Sequence, residues 1–276
     1  MNSPDSMYFS LIDWVMEKGD RRQTRSGEVL SCFSLFYDWD MQDGFPLLQS
    51  KKINFNNVMH ELNWFLRGET NINTLKAPQI WAPWANEYGE CNGIYGENWR
   101  YWGRYAQHGL ILATQGGFDQ ITALIEGLKK DPYGRRHLVS AWNPMQAYDT
   151  PEVPNACHTM FQCYVRQGFL DLQMYQRSAD LAVAVPYNIA SYALLLMMLA
   201  EEVDLAPGKL HIVFGDAHIY SNHIDNLKKQ LTREVKLAPK LTLKKSFWDL
   251  VNEDSPDNYE LTGYNPDGFL KYEAMV

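Results

Sequence analysis

Between Leu181 and Ala200 the chain runs twenty residues without a charge, LAVAVPYNIASYALLLMMLA, and that run decides most of what it can fold into. A segment so apolar belongs either in a bilayer or at the centre of a core. Pro186, Tyr187, Asn188 and Ser191 interrupt it, so a soluble core element is expected, with no membrane partner. From Asn188 to Val203 the apolar residues run nearly all round a helical wheel, which predicts a helix covered on every side. Just ahead of the run, Gln176, Arg177, Ser178 and Asp180 crowd hydrogen-bonding groups at its mouth. An ordinary core strand needs none of them.

Elements able to cover such a helix lie on both sides of it. VLSCFSLFYDW (29–39) reads as a strand before a DGFP turn. HLVSAW (137–142), TMFQCYVRQGFLDLQMYQRS (159–178, turning at Gly168) and KLHIVFGDAHIY (209–220) read as strands too. Helical spacing marks 6–18 and FDQITALIEGLKK (118–130), which stops at Asp131-Pro132. It also marks NNVMHELNWFLRG (56–68), which closes at Gly68 and carries Glu61 on its polar face. Residues 103–117 are Gly-rich and read as a surface excursion. No repeat, low-complexity tract or linker divides the chain, so 1–276 is one domain of α+β class, a sheet backed by a central buried helix.

Composition narrows the function. At 46% hydrophobic and 13% aromatic the 276-residue chain can fill a core, which argues against disorder. A net charge of −8 argues against nucleic acid as substrate, because phosphate backbones need a basic face. A few clustered arginines still make a local anion site. The four cysteines (Cys32, Cys91, Cys157 and Cys163) form no C-x-x-C pair, and the N-terminal stretch lacks a signal peptide's basic start and apolar h-region. A reducing, cytoplasmic setting is the expectation.

Taken singly, the candidate chemical residues all have plain structural explanations. Cys157, in VPNACHTMFQCYV, reads as a small core hydrophobe unless cations lower its thiol pKa; GRRH (134–137) and Arg177 are available for that. Arg135 and Arg136 are a solvated pair or a phosphate grip. His218 and Tyr220 alternate and share a strand face. Glu61 reads as solvent-facing, and Trp81 and Trp84 as core. Neither H-E-x-x-H nor a second histidine after HEL (60–62) is present, so no metal is expected. G-x-G-x-x-G, Walker A and G-x-S-x-G are absent as well.

In order, however, GFPLLQSKK, HELNWFLRGETNIN, IYGENWR, DQI…LKKDPYGRRHLVSAWNP, ACH, YQRSAD…PYNIASYALL and GDAHIYSNHIDN closely resemble the thymidylate synthase family, from about residue 5 to the C-terminal EAMV. The resemblance implies that family's fold, a mixed sheet on a central helix whose open face forms a homodimer. It implies one-carbon transfer from 5,10-methylenetetrahydrofolate, as cosubstrate, to C5 of dUMP. Cys157 matches the nucleophile that adds to C6, which turns C5 into an enolate carbon able to attack. Arg25, Arg177 and Ser178 match phosphate ligands of one subunit, and Arg135 and Arg136 those given across the interface. With Ser178, the four guanidiniums would hold the dianion and bias Cys157 toward thiolate.

His218 and Tyr220 match the groups that bind the sugar 3′-hydroxyl, and Asn188 the reader of the uracil O4 and N3–H edge, with Gln176 in support. Glu61 matches the carboxylate that moves protons at O4 and the cofactor, and Tyr95 the hydroxyl that helps remove the C5 proton. Asp180 matches the acid that binds the pterin. Lys51, Trp81 and the terminal carboxylate of Val276 resemble parts of the folate site and its lid.

The departures from the family pattern fall on the folate side. Ala82 stands where an aspartate is usual, Cys91-Asn92-Gly93 where L-G-P is, Ala156 for a proline, and Ala184 for a glycine that lets folate approach. The branch making 5-hydroxymethyl nucleotides, in which water replaces hydride, departs at several of these positions, including an asparagine near Asn92. Retained Trp81 and the C-terminal valine favour the synthase, with a dUMP hydroxymethylase as the alternative. Retained Asn188 favours uracil over cytosine. A nucleotide- or RNA-binding relic of the fold is the non-enzymatic alternative, and the complete cysteine, arginine and glutamate set argues against it.

Overall fold

A computed structural model describes residues 3–91, 93–103, 106–107, 110–111, 116–149 and 155–275. Asn92, Val276 and most of 103–117 lie outside the described residues. The chain opens with helix α1 (Pro4–Lys18), the hairpin β1 (Asp20–Thr24) and β2 (Gly27–Asp40), and helix α2 (Phe55–Leu66). Helix α3 (Tyr95–Arg100), the short ladder β3 (Ala106–Gln107) and β4 (Leu110–Ile111), helix α4 (Gln120–Lys130), strand β5 (Leu138–Ser140) and helix α5 (Pro144–Asp149) follow. The centre of the fold comes from β6 (His158–Arg166), β7 (Phe169–Asp180), α6 (Val185–Glu202) and β8 (Ala206–Tyr220). Helix α7 (Ile224–Leu231), β9 (Lys240–Leu243), α8 (Phe247–Glu253) and β10 (Tyr259–Thr262) close the described chain.

Six strands form one sheet in the order β1-β2-β8-β7-β6-β5. Every neighbouring pair is antiparallel except β7 and β8. Parallel neighbours cannot be joined by a hairpin and need a crossover across the sheet. Helix α6 is that crossover, and this accounts for its composition: packed on β7 and β8 and crossed by α2 and α8, it has almost no solvent-facing side. The helix begins at Val185, three residues earlier than the sequence pattern suggests, with Pro186 in the first turn, where its missing N–H costs nothing.

The other face of the sheet is open. Phe36, Val213, Tyr175 and Met160 form one cross-strand row over β2, β8, β7 and β6, and Phe36 and Met160 are exposed, as is Tyr164 nearby. Ser34 sits at φ 67°, and next to it Phe33, on the otherwise inward-facing parity of β2, is exposed as well. The DGFP turn depends on Gly44 (φ 115°), where a Cβ would stand 2.8 Å from that of Ala238. No helix of the described residues is long and apolar enough to cross a membrane.

Candidate active site

The parallel pair brings the carboxyl ends of β7 and β8 together, Ser178 beside Asp216 and Asp180 beside His218. That is where ligands collect in sheets with parallel strands. Cys157 sits immediately before β6, and its carbonyl accepts the Arg177 N–H at 2.8 Å. At this point the register of β6 on β7 slips between His158 and Met160, a bulge that re-aims the strand end. The Arg177 side chain donates to the carbonyls of Ala156 (2.9 Å) and Asn155 (2.8 Å), and its guanidinium lies 5.1 Å over the Trp142 ring. It therefore clamps the loop that carries the thiol.

From Cys157 a continuous line of contacts runs to Glu61. The Cys157 N–H donates to the Tyr95 hydroxyl at 2.8 Å, and the Tyr95 ring stands 6.2 Å from Trp81, edge to face. The Trp81 indole N–H donates to Glu61 Oε1 at 2.7 Å. Burial pushes the Glu61 carboxyl up to about 7, with the indole opposing. Glu61 is thus half-buried in the cleft wall, and the solvent-facing reading of that helix position fails because the cluster of Trp64, Phe65, Trp81, Trp84 and Tyr95 closes over it. Trp81 and Trp84 do pack there as expected.

A second line runs from Tyr95 to Asn188. The Tyr95 ring stacks on His158 at 4.0 Å, and His158 meets Asn188 and Tyr192. Burial pushes His158 down to about 3, so its ring is neutral. The Ser178 carbonyl can only accept, so Gln176 turns its NH₂ to it (3.0 Å) and to Asn188 Oδ1 (3.0 Å). Asn188 Nδ2 then donates to His158 Nε2 at 3.3 Å, and the Nδ1 proton faces the Tyr192 hydroxyl at 3.2 Å. The amide of Asn188 is held in one orientation by a chain of bonds with one direction. His158 and Tyr192 were not singled out in the sequence; the only signal was a histidine directly after the candidate nucleophile.

The remaining groups surround these lines. Asp180 Oδ1 accepts the N–H groups of Ala182 (2.8 Å) and Val183 (3.1 Å), and Lys51 Nζ donates to the Ala182 carbonyl at 2.5 Å. Burial lowers the Lys51 ammonium to about 8, with Asp180 pulling it back up. Ala184 starts α6 at φ −82°, ψ −44°, backbone that any residue adopts, so nothing in the chain itself demands a glycine there. His218 meets Asp216 through Nδ1 at 3.2 Å, and the Tyr220 ring lies edge-on to it at 5.4 Å. Asp216 and Asp180 raise the His218 imidazole against the desolvation that lowers it most.

Three expected site guanidiniums stay exposed, Arg25 beside Tyr220 and the other two away from Cys157. Arg25 is exposed in the β1–β2 turn, and Arg135 and Arg136 are exposed in the connection between α4 and β5. None has an ion pair among the described residues. The expected bias of Cys157 toward thiolate is therefore missing in a single chain: burial pushes the thiol up, and Arg177 alone pulls it back in part. No cluster of His, Cys, Asp or Glu among the described residues is arranged to hold a metal ion.

A thiol, a carboxyl poised near neutrality and a direction-locked amide are thus joined through shared aromatic rings at the end of a parallel strand pair. The family model for thymidylate synthase matches residues 6–276, and the chain belongs to the thymidylate synthase family. Membership carries folate-dependent transfer of a one-carbon unit to C5 of dUMP, with methylenetetrahydrofolate as cosubstrate.

Proposed function

We propose that the chain is the methylating enzyme of the family, converting dUMP and 5,10-methylenetetrahydrofolate to dTMP and dihydrofolate. The observation that carries this reading is Trp81. Trp81 is 7% exposed and its one polar side-chain atom is committed to Glu61, so the indole one ring away from Cys157 offers water no anchor of its own. An exocyclic methylene formed beside such a wall meets hydride before it meets an ordered water.

In this mechanism Cys157 adds to C6 and Asn188 gives an N–H to O4 while accepting from N3–H. Glu61, poised near neutrality, exchanges protons at O4 and the cofactor, and Tyr95 assists removal of the C5 proton. The nucleotide phosphate is held by Arg25, Arg177 and Ser178, the sugar hydroxyl by His218 and Tyr220, and the pterin by Asp180 with Lys51 and Trp81 beside it. Val276, outside the described residues, closes the folate site on this reading.

The exposed and unpaired Arg135 and Arg136 fit a role in the partner's site. We assign the open sheet face to a homodimer that brings them there, which also supplies the positive charge that Cys157 lacks in a lone chain. Single-domain organisation of 1–276 and a cytoplasmic setting complete this reading.

Ala184 supports the hydroxymethylase alternative, since its methyl group narrows the folate side without any backbone need. Incubation with dUMP and methylenetetrahydrofolate separates the two. Dihydrofolate absorbance rising in step with dTMP is expected; a 5-hydroxymethyl product without dihydrofolate would refute the methylating reading.

A further inference from the structure

One buried imidazole outside the nucleotide machinery touches three parts of the site at once. His223 is 1% exposed, and its ring meets Tyr220 and Tyr272 edge-on at 5.8 and 5.5 Å. Its Nε2 contacts the Glu273 carbonyl at 2.8 Å, and since a carbonyl only accepts, Nε2 carries a proton. Nδ1 has no hydrogen-bond partner among the described residues and stands 4.0 Å from Asp180 Oδ1. A buried orphan of this kind calls for an explanation.

The same stretch of chain forms a track for the C-terminal segment. Asn222 reaches Met275 Sδ at 3.5 Å, Asn226 donates to the Lys271 carbonyl at 2.9 Å, and Gln230 accepts the Tyr272 hydroxyl at 2.7 Å. Arg233 donates to the Gly268 carbonyl at 2.7 Å. Steps of three and four residues put these groups on one face of α7 and its flanks. His223 is the member of this stripe that also faces Asp180. Across the pocket, Lys51 Nζ lies 4.6 Å over the Tyr272 ring, so the docked segment covers the lysine as well.

We propose that His223 is a positioning residue that couples docking of the C-terminal segment to the Asp180–Lys51 end of the pocket, and so sets affinity for reduced folate without touching it. The inference rests on the assignment of Asp180 and Lys51 to folate. Undocking the segment removes the acceptor that fixes the imidazole and takes the Tyr272 face from Lys51. Asp180 then loses the buried neighbour behind it.

The test compares full-length His223→Leu and His223→Gln with the parent. His223→Leu should raise KM for methylenetetrahydrofolate about tenfold, the worth of one buried hydrogen bond, with KM for dUMP changed less than about twofold. Amide hydrogen exchange over residues 269–275 should quicken in the same variant. His223→Gln, which keeps a donor for the Glu273 carbonyl, should recover most of both effects.

Asn226→Ala loosens the same segment without altering the buried ring, and should move tail exchange and folate KM together. Unchanged tail exchange, an equal rise in both KM values, or faster exchange with an unmoved folate KM would each overturn the coupling. Asp180→Asn separates the two assignments: an unmoved folate KM there sinks the placement of folate and the coupling with it, whereas tail exchange in His223→Leu still reads the latch alone.

Discussion

The carbonyl of Ser178 can only accept a hydrogen bond, and that one restriction passes through Gln176 to fix which way Asn188 points. With Nδ2 turned to neutral His158, the amide keeps one N–H and one lone pair for a base, in the order uracil requires and cytosine does not. Asn188→Asp removes the fixed donor, so the ratio of kcat/KM for dCMP over dUMP should rise by roughly tenfold or more; an unmoved ratio counts against Asn188 as the reader. Glu61 gives a second test. Its folded pKa of about 7 exceeds the ordinary 4.5, so the native state holds the proton more tightly and stability falls as pH climbs from 4.5 to 7. Glu61→Gln should therefore match the parent's unfolding stability near pH 4.5 and exceed it at pH 8 by about 2 kcal/mol once solvent at the cleft is discounted, with a correspondingly higher Tm. Equal Tm differences at both pH values would show that the carboxyl is not raised. Cys157→Ala should lower turnover by roughly 10⁴-fold or more while dUMP still binds in calorimetry, because binding and covalent addition use different groups.

Helix α6 and its sheet show why the elements differ in how far the sequence discloses them. The helix, β2 and the β6–β7 hairpin were legible because burial on one or all sides leaves a periodic apolar pattern. Strand β1, DRRQT, is exposed at every position and carries no alternation, so only its pairing with β2 makes it a strand. Helices α3 and α5 are six residues each, too short for a period to show. The parallel pairing of β7 and β8 is a tertiary choice that no local pattern encodes. Cys157, Asn188 and Asp180 stand out in the sequence as members of an ordered set of motifs, whereas His158 and His223 make their contacts with distant segments that no local pattern encodes. At this scale the open sheet face is testable. Tyr164→Asp, on that face at the β6 side of the sheet, should shift the protein from dimer to monomer in sedimentation and lower activity with it. A monomeric parent of full activity would contradict the shared site.

At the scale of the whole molecule, the α+β fold gathers groups from distant segments at one end of a parallel strand pair. On the proposed reading the nucleotide groups come from β7, α6 and β8, the proton-moving carboxyl from α2, and the folate side from Lys51, Asp180 and the docked C-terminal segment. Trp81, Tyr95 and their aromatic neighbours wall their meeting point, which on the proposed reading keeps solvent from the carbon being transferred. The central claim is that hydride, not water, completes the reaction at that wall. The most direct measurement uses methylenetetrahydrofolate deuterated at the ring carbon that gives up its hydride, followed by mass analysis of the product nucleotide. The expected product is dTMP with one deuterium in its methyl group; a product that carries an added oxygen and no deuterium would contradict the account.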